Sequence, residues 1–500
     1  MIRPLPLATL VAALLPLAAA SSHAQRPGSS QSGLSQPGAA RGADAAASKV
    51  GTARVLTIRA DRIRQPLLGV GAQIWPGDDV GHSVLDELGL RYARMHHGVN
   101  FWSFAPQPPA DANTTPDDNW AAMYAYIAAN FNGPNGSEPW HLPAAQESFA
   151  FADARGIGII LNEFLMPSSF LDAGQNLKGT ALDDYATYWS ALVAYLDANG
   201  MRPEFVELAN EPNGTWNGFI SPPRYDALVA MTRASLDAAG FPDVGILGPG
   251  LSELGGTKRW SGWWIPSWFS SLTTPGIDAI AGWSAHAWDD WAGLEGQLGR
   301  LFSAIGGPDP LGQKPVFVTE FSTTRTIFGG VTYVTPESGG DAADQNGFAI
   351  HAVATMLDML DAGVAAPVFW ESADQSWSQL TWGLKRANGS KRPAFRALAT
   401  LLPRLPENGL VVRPTWDEPE LSIAAVRGAN ELVVALANTG STPERRTLRV
   451  EGLQGVQLVR MLRFHKGTTS RPPVWTEGPI VHTRLPPASL LTLVFRHAGP

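Results

Sequence analysis

The run Phe205-Val206-Glu207-Leu208-Ala209-Asn210-Glu211-Pro212-Asn213 reads as a buried strand that delivers Asn210 and Glu211 at its carboxyl end. A second apolar run, Pro315 to Phe321, delivers Glu320 in the same way, 109 positions further along. That gap holds about three strand-helix units of roughly 30 residues each, which places the two carboxyls on strands four and seven of a barrel. A residue before proline is driven out of the helical region, so Glu211 is expected to be extended at its strand tip and to face a cleft. Two facing carboxyls suit displacement at an anomeric carbon. One, protonated, assists the departing oxygen, while the other, ionised and about 5 to 5.5 Å away, attacks. Glu211 suits the acid/base role and Glu320 the nucleophilic one.

The two must titrate apart, Glu211 upward and Glu320 held ionised by charge and hydrogen bonds. Arg94, near the end of a predicted strand two, is the natural cation for Glu320; the alternative is a surface arginine paired with a loop acid. Asn210 is either a strand cap or the group that hydrogen-bonds a sugar 2-hydroxyl. His286 is either a partner of Glu320 or a satisfied core histidine, and His96 is open in the same way. Tryptophan is abundant, with 18 copies, so abundance alone recommends none of them. Trp370 stands out by position, at the tip of the last predicted strand, where an aromatic face could floor a sugar site. The cluster Trp260, Trp263, Trp264 and Trp268 could serve the same end or simply pack helices.

The elements that must hold these residues form a regular rhythm. Predicted strands run Leu68 to Ile74, Tyr92 to His96, Gly158 to Glu163, Phe205 to Asn210, Val244 to Pro249, Ala279 to His286, Val316 to Phe321 and Val368 to Glu371. Alternating with amphipathic helices, they predict a (β/α)8 barrel over residues 65–405. Thr180 and Asp183 suggest a capping box for one helix, and Ser221-Pro222 opens the next. From 406 to 500 short strands separated by Gly, Asn and Pro turns predict an antiparallel β-sandwich. The strand-like segment 54–60 is expected to pair into it. The long segments 99–145, 250–275 and 325–345 are expected to wall the cleft.

Composition narrows the function. The net charge of −8 with only 16% charged residues leaves no basic face for nucleic acid. Arg3, the apolar run to Ala20 and Ser22-His23-Ala24 read as a signal peptide cleaved after residue 24, followed by a flexible linker over 25–50. No other stretch would span a bilayer, so no membrane anchor is expected. Of the sequons at Asn113, Asn135, Asn213 and Asn388, a glycan on Asn213 would crowd Glu211; together with the Ala-rich leader this points to a bacterial periplasmic or extracellular protein. Gly69-Val70-Gly71 lacks the third glycine of a dinucleotide fingerprint, no His-Glu-x-x-His occurs and there is no cysteine. No metal and no cofactor are expected, and the expected partner is a carbohydrate.

These motifs resemble the retaining glycoside hydrolases of clan A, most closely family 39, the group of β-xylosidases, α-iduronidases and some exopolysaccharide hydrolases. Arg94-Met95-His96, Met166-Pro167, Asn210-Glu211-Pro212-Asn213, His286, Thr319-Glu320, Phe369-Trp370, Gly383-Leu384 and Arg392-Pro393-Ala394-Phe395 follow that family's order over most of 65–405. The resemblance implies an enzyme in which His286 sits near Glu320 and Trp288 lines the sugar pocket. His97, Ala209 and Trp288 depart from the family pattern, which bears on the sugar rather than the mechanism. The other expectation is a catalytically silent carbohydrate-binding protein on the same barrel; the presence of both glutamates favours the enzyme.

Overall fold

The computed structural model describes residues 54–96, 116–131, 142–254, 259–260, 263–288, 291–306, 314–322, 326–328, 331–333, 342–375, 381–415, 421–472 and 475–499. The expected signal peptide and linker lie outside them, as do parts of the expected cleft-walling segments. Eight parallel strands close into a barrel in chain order: Gly71–Ile74, Tyr92–His96, Gly158–Asn162, Phe205–Glu207, Gly245–Leu251, Gly282–Trp288, Val316–Ser322 and Ala366–Phe369. The fourth strand ends at Glu207, three residues earlier than predicted. Beyond it the backbone still bonds to both neighbours, Asn210 N–H to Glu163 at 2.9 Å and Glu211 N–H to Gly250 at 3.0 Å, but without a regular ladder.

The barrel interior is layered by the two-residue period of its strands. At the amino-terminal end Tyr92, Ile160, Leu247, Phe317, Ala366 and Val368 form one apolar cluster with Phe205 packed against it. The rings of Tyr92, Phe205 and Phe317 meet at 5.3 to 6.1 Å. Two residues further along the same strands come Arg94, Asn162, Glu207 and Thr319, all buried. The apolar plug closes one end of the barrel, so the polar residues are delivered to the carboxyl-terminal end, where barrels of this kind carry their sites. The intervening residues Ala93, Ile159, Leu161, Val206, Val316 and Val318 face the helices and join the main core.

Helix Leu182–Ala198 packs between helices Pro116–Asn130 and Pro222–Ala238, and the predicted capping box is not formed. Its N-cap is Ala181 without a side-chain bond, and a single turn Gly179–Ala181 leads in instead. Asp183 and Asp184 in the first turn still place negative charge at the positive end of the helix. Helix Pro222–Ala238 begins as its Ser221-Pro222 signature predicts.

After the last barrel helix, Pro393–Leu398, the chain forms an antiparallel-rich sheet of ten strands that curls into the predicted sandwich-like domain. Strand Arg54–Pro66 is one of the ten. It pairs antiparallel with Leu410–Thr415, with the register broken between Arg59 and Ile63, and lies between that strand and Glu444–Glu451. Alternation in Leu421–Arg427 shows how the sheet is used. Ile423 and Ala425 join the sandwich core, whereas Ala424 and Val426 join the barrel core. Both faces are buried, and Val55–Pro500 forms one compact unit.

Candidate active site

Arg94 is fully buried among barrel strands, a position tolerable only if every guanidinium nitrogen is satisfied. Its Nε and Nη2 donate to Glu207 Oε2 at 3.0 and 2.8 Å, and Nη2 also reaches Asn210 Oδ1 at 2.8 Å. Nη1 donates to Glu320 Oε1 at 2.6 Å and Gln73 Oε1 at 3.2 Å. One cation is thus shared between two carboxylates on strands four and seven. Glu207 gains further donors in Thr319 Oγ1 at 2.8 Å and Asn162 Nδ2 at 3.0 Å. Burial alone would raise its pKa, but the charges of Arg94 and His286 and these hydrogen bonds outweigh burial and hold it below the usual carboxylate range.

Glu320 and Glu211 meet across His286. His286 Nδ1 lies 2.9 Å from Glu211 Oε1 and 3.4 Å from Glu320 Oε2, and one polar atom from each of the three lies within 4.8 Å of the others. Burial disfavours charge on His286, but the carboxylates of Glu320 and Glu211 outweigh it and its pKa is raised. Burial pushes Glu320 upward and, with the carboxylates of Glu211 and Glu207, outweighs the downward pull of His286 and Arg94, so its pKa is raised, opposite in direction to the expectation that Arg94 alone keeps it ionised. The imidazole of His286 and the carboxyl of Glu320 therefore titrate as a pair rather than singly. The spacing would also let the three hold a metal ion. Against this, the Arg94 guanidinium already occupies Glu320 at close range and would repel a second cation.

The backbone at Glu211 corrects the expectation of an extended residue. Its φ is +54°, in the left-handed region that side chains other than glycine seldom adopt. Packing holds it there. Gly250 of strand five accepts the Glu211 N–H, and a Cβ on Gly250 would lie 3.0 Å from both Ala209 O and Glu207 Oε1. Pro212 and Asn213 are buried, and Asn213 exchanges two hydrogen bonds with Ser252, at 2.8 and 3.0 Å. With its amide buried and bonded, Asn213 is closed to glycosylation. The chain then turns so that Trp216 Nε1 donates back to Glu211 Oε2 at 2.7 Å, its ring lying where a Cβ on Gly214 would stand. The Glu211 side chain is 15% exposed and that of Glu320 5% exposed, so both can be reached from the mouth of the barrel.

Of the remaining candidates, Asn210 gives its carbonyl oxygen to Arg94 and has no partner for its amide nitrogen among the described residues. His96 Nδ1 lies 2.8 Å from Asn162 Oδ1 and its ring packs against Trp75, Phe164 and Trp370. Trp288 and Trp370 are half-buried, 6.2 Å apart between ring centres, and Trp288 also meets Trp382. Trp268 is buried against Phe219 and Tyr225 and serves packing. Glu207, Gln73, Asn162 and Trp216 were given no role in the sequence reading, and Thr319 entered it only in the motif Thr319-Glu320. Glu207 did leave a signal, as an acid in an otherwise apolar strand interior two positions after an inward-facing Phe205; nothing local marks Trp216 as a partner of Glu211.

No family model matches the sequence, and no curated protein matches it. Solved structures do. A family 30 endoxylanase from Clostridium papyrosolvens C71 superposes with a TM-score of 0.63 at 14% identity, over 88% of this chain and all of that one (100%). A conserved exported protein from Bacteroides fragilis gives 0.63 at 14% identity over 88% and 100% of the two chains. A family 51 α-L-arabinofuranosidase from Bifidobacterium longum gives 0.57 at 14% identity over 89% and 100%. At such identities the likeness is one of fold, a barrel joined to a β-rich domain along nearly the whole of the described chain.

Proposed function

We propose that this chain is an exported retaining glycoside hydrolase of the clan A type, acting on a polysaccharide or oligosaccharide through a covalent glycosyl-enzyme. The observation that carries the reading is the pair Glu211 and Glu320 on either side of His286, with one oxygen of each within 4.8 Å of the other, which suits the closer carboxyl spacing of a retaining mechanism better than the wider one of inversion. Glu320, bound to Arg94, attacks the anomeric carbon. Glu211, the more exposed of the two and adjustable through His286 and Trp216, gives its proton to the leaving oxygen and then takes one from water. The free amide nitrogen of Asn210 suits the sugar 2-hydroxyl, and Trp288 and Trp370 offer flat apolar faces to the ring.

The structural neighbours support the class, since an endoxylanase and an arabinofuranosidase share the architecture. Their names carry families 30 and 51, so the closer likeness to family 39 rests on sequence motifs alone. A xylan-type glycan or a bacterial exopolysaccharide is the proposed substrate. Export rests on the leader-like amino terminus and on the fold shared with an exported protein.

The test is hydrolysis of a panel of xylans, arabinoxylans, β-glucans and bacterial exopolysaccharides, with the first-formed anomer read by proton NMR. Retention of configuration is expected. Inversion would overturn the mechanism, and tight binding without cleavage anywhere in the panel would favour a silent binding protein.

A further inference from the structure

The mouth of the barrel holds a further buried acid that the proposed chemistry does not use. Glu371 follows Trp370 just past strand eight and is 3% exposed. Its Oε2 accepts the indole N–H of Trp75 at 2.8 Å. Trp75 comes from the end of strand one, which pairs with strand eight through Gly71 and Val368 and through Ala72 and Phe369. The Trp75 ring lies 5.4 Å from that of His96 and 6.2 Å from that of Trp370, and His96 and Trp370 are 5.9 Å apart. The Glu371 main chain is pinned too, with Leu384 N–H on Glu371 O and Ser372 N–H on Gln73 O, both at 3.0 Å.

We propose that Glu371 is a positioning residue that, through its hydrogen bond to Trp75, fixes the ring triangle of Trp75, His96 and Trp370 at the sugar-binding end of the barrel without itself touching substrate. The inference rests on the glycosidase reading only in calling that end a sugar site.

The surroundings of Glu371 explain how it can do this. Among the described residues no cation pairs with it directly. Arg392, at the start of the last barrel helix, is spent on Asp344 at 3.0 Å and on Asp374. The charged groups acting on Glu371 are Asp374, on the segment after strand eight, Asp78, in the turn after strand one, and the more distant pull of Arg392. Burial first, then these two acids, push its carboxyl up to about 8, against the downward pull of the Trp75 hydrogen bond and of Arg392. Through the neutral range Glu371 is an uncharged acid that takes the indole N–H on one oxygen and keeps its proton on the other. Losing that proton would strand a charge in a buried site beside two carboxylates, which water entry and movement of Trp75 would relieve.

The test reads Trp75 directly, so it does not depend on catalysis. In protein labelled with 15N-tryptophan, the indole resonance assigned through Trp75→Phe should titrate with a midpoint near 8, and Glu371→Gln should abolish that titration while keeping the low-pH chemical shift. With an active substrate in hand, KM should rise several-fold across the same interval with kcat less affected, and Glu371→Gln should remove the rise. An indole that does not titrate between pH 6 and 10, or that titrates identically in Glu371→Gln, overturns the inference. Failure to find any hydrolysed glycan would count against the glycosidase reading and leave the indole result standing.

Discussion

Glu207 and Glu371 are glutamates of nearly equal burial, four strands apart around the mouth of one barrel, and they are held in opposite states. Glu207 is kept ionised by two N–H groups of Arg94 and by Thr319 and Asn162. Among the described residues Glu371 receives only an indole N–H, Arg392 being committed to Asp344 and Asp374, and it is kept neutral. Burial pushes both the same way. What separates them is whether a cation was built into the same layer. The charged side faces Glu320, the nucleophile of the proposed mechanism, while the neutral side faces the rings of Trp75, His96 and Trp370.

The largest expected effect lies at the reacting centre between these two sides. Glu211→Ala should slow cleavage of substrates with poor leaving groups by about 10²- to 10⁴-fold, the usual worth of a positioned acid, and should spare activated aryl glycosides. Azide should restore turnover by attacking the glycosyl-enzyme in place of water. Equal loss across leaving groups without rescue would make Glu211 structural.

Next in size is the cation that defines the charged side. Arg94→Met leaves Glu207 and Glu320 buried without their partner, and breaking a buried pair in this way costs about 3 to 5 kcal/mol. Urea unfolding should show a loss on that scale together with loss of activity. A variant as stable as the parent would mean that Glu207 and Glu320 do not carry the charges assigned to them.

The smallest effects are in the pH dependence of stability, and here the two acids should part company. Glu207 has a folded pKa below its unfolded one, so its contribution is present above about pH 4.5 and lost as pH falls through the depressed value. In Glu207→Gln that acid-side loss should disappear, so the gap to the parent should narrow toward low pH. Glu371 has a folded pKa raised from 4.5 to about 8, so its contribution is complete below 4.5 and lost as pH rises toward 8. Glu371→Gln should therefore gain stability relative to the parent over that interval and level off above it. Urea midpoints measured from pH 2 to 9 decide both; parallel curves would erase the contrast.

How far the sequence could lead is clearest at these residues. The eight strands were legible because each is a short apolar run closed by turn residues, and Glu211, Glu320 and Arg94 were legible because they interrupt such runs at their ends. Asn210-Glu211-Pro212 was readable as a motif but not as a conformation. The rule for residues before proline favours extended backbone, whereas contact with Gly250 and the return of Trp216 hold Glu211 at positive φ. Those partners lie on a neighbouring strand and on a turn five residues later, and no local pattern specifies the pairing. The contrast between Glu207 and Glu371 was hidden for the same reason, since it depends on which arginine finds which acid across the barrel. The missed capping box is a smaller case, in which Thr180 was taken up by a preceding turn.

The central claim, that Glu320 attacks the sugar while Arg94 holds it in place, is tested most directly by trapping the intermediate. The protein would be incubated with activated 2-deoxy-2-fluoro glycosides of the sugars released from its best polysaccharide, then digested and mapped by mass spectrometry. The account predicts one sugar per chain, attached to the peptide bearing Glu320 and absent from Glu320→Gln. A label on Glu211, Glu207 or any other residue would contradict it.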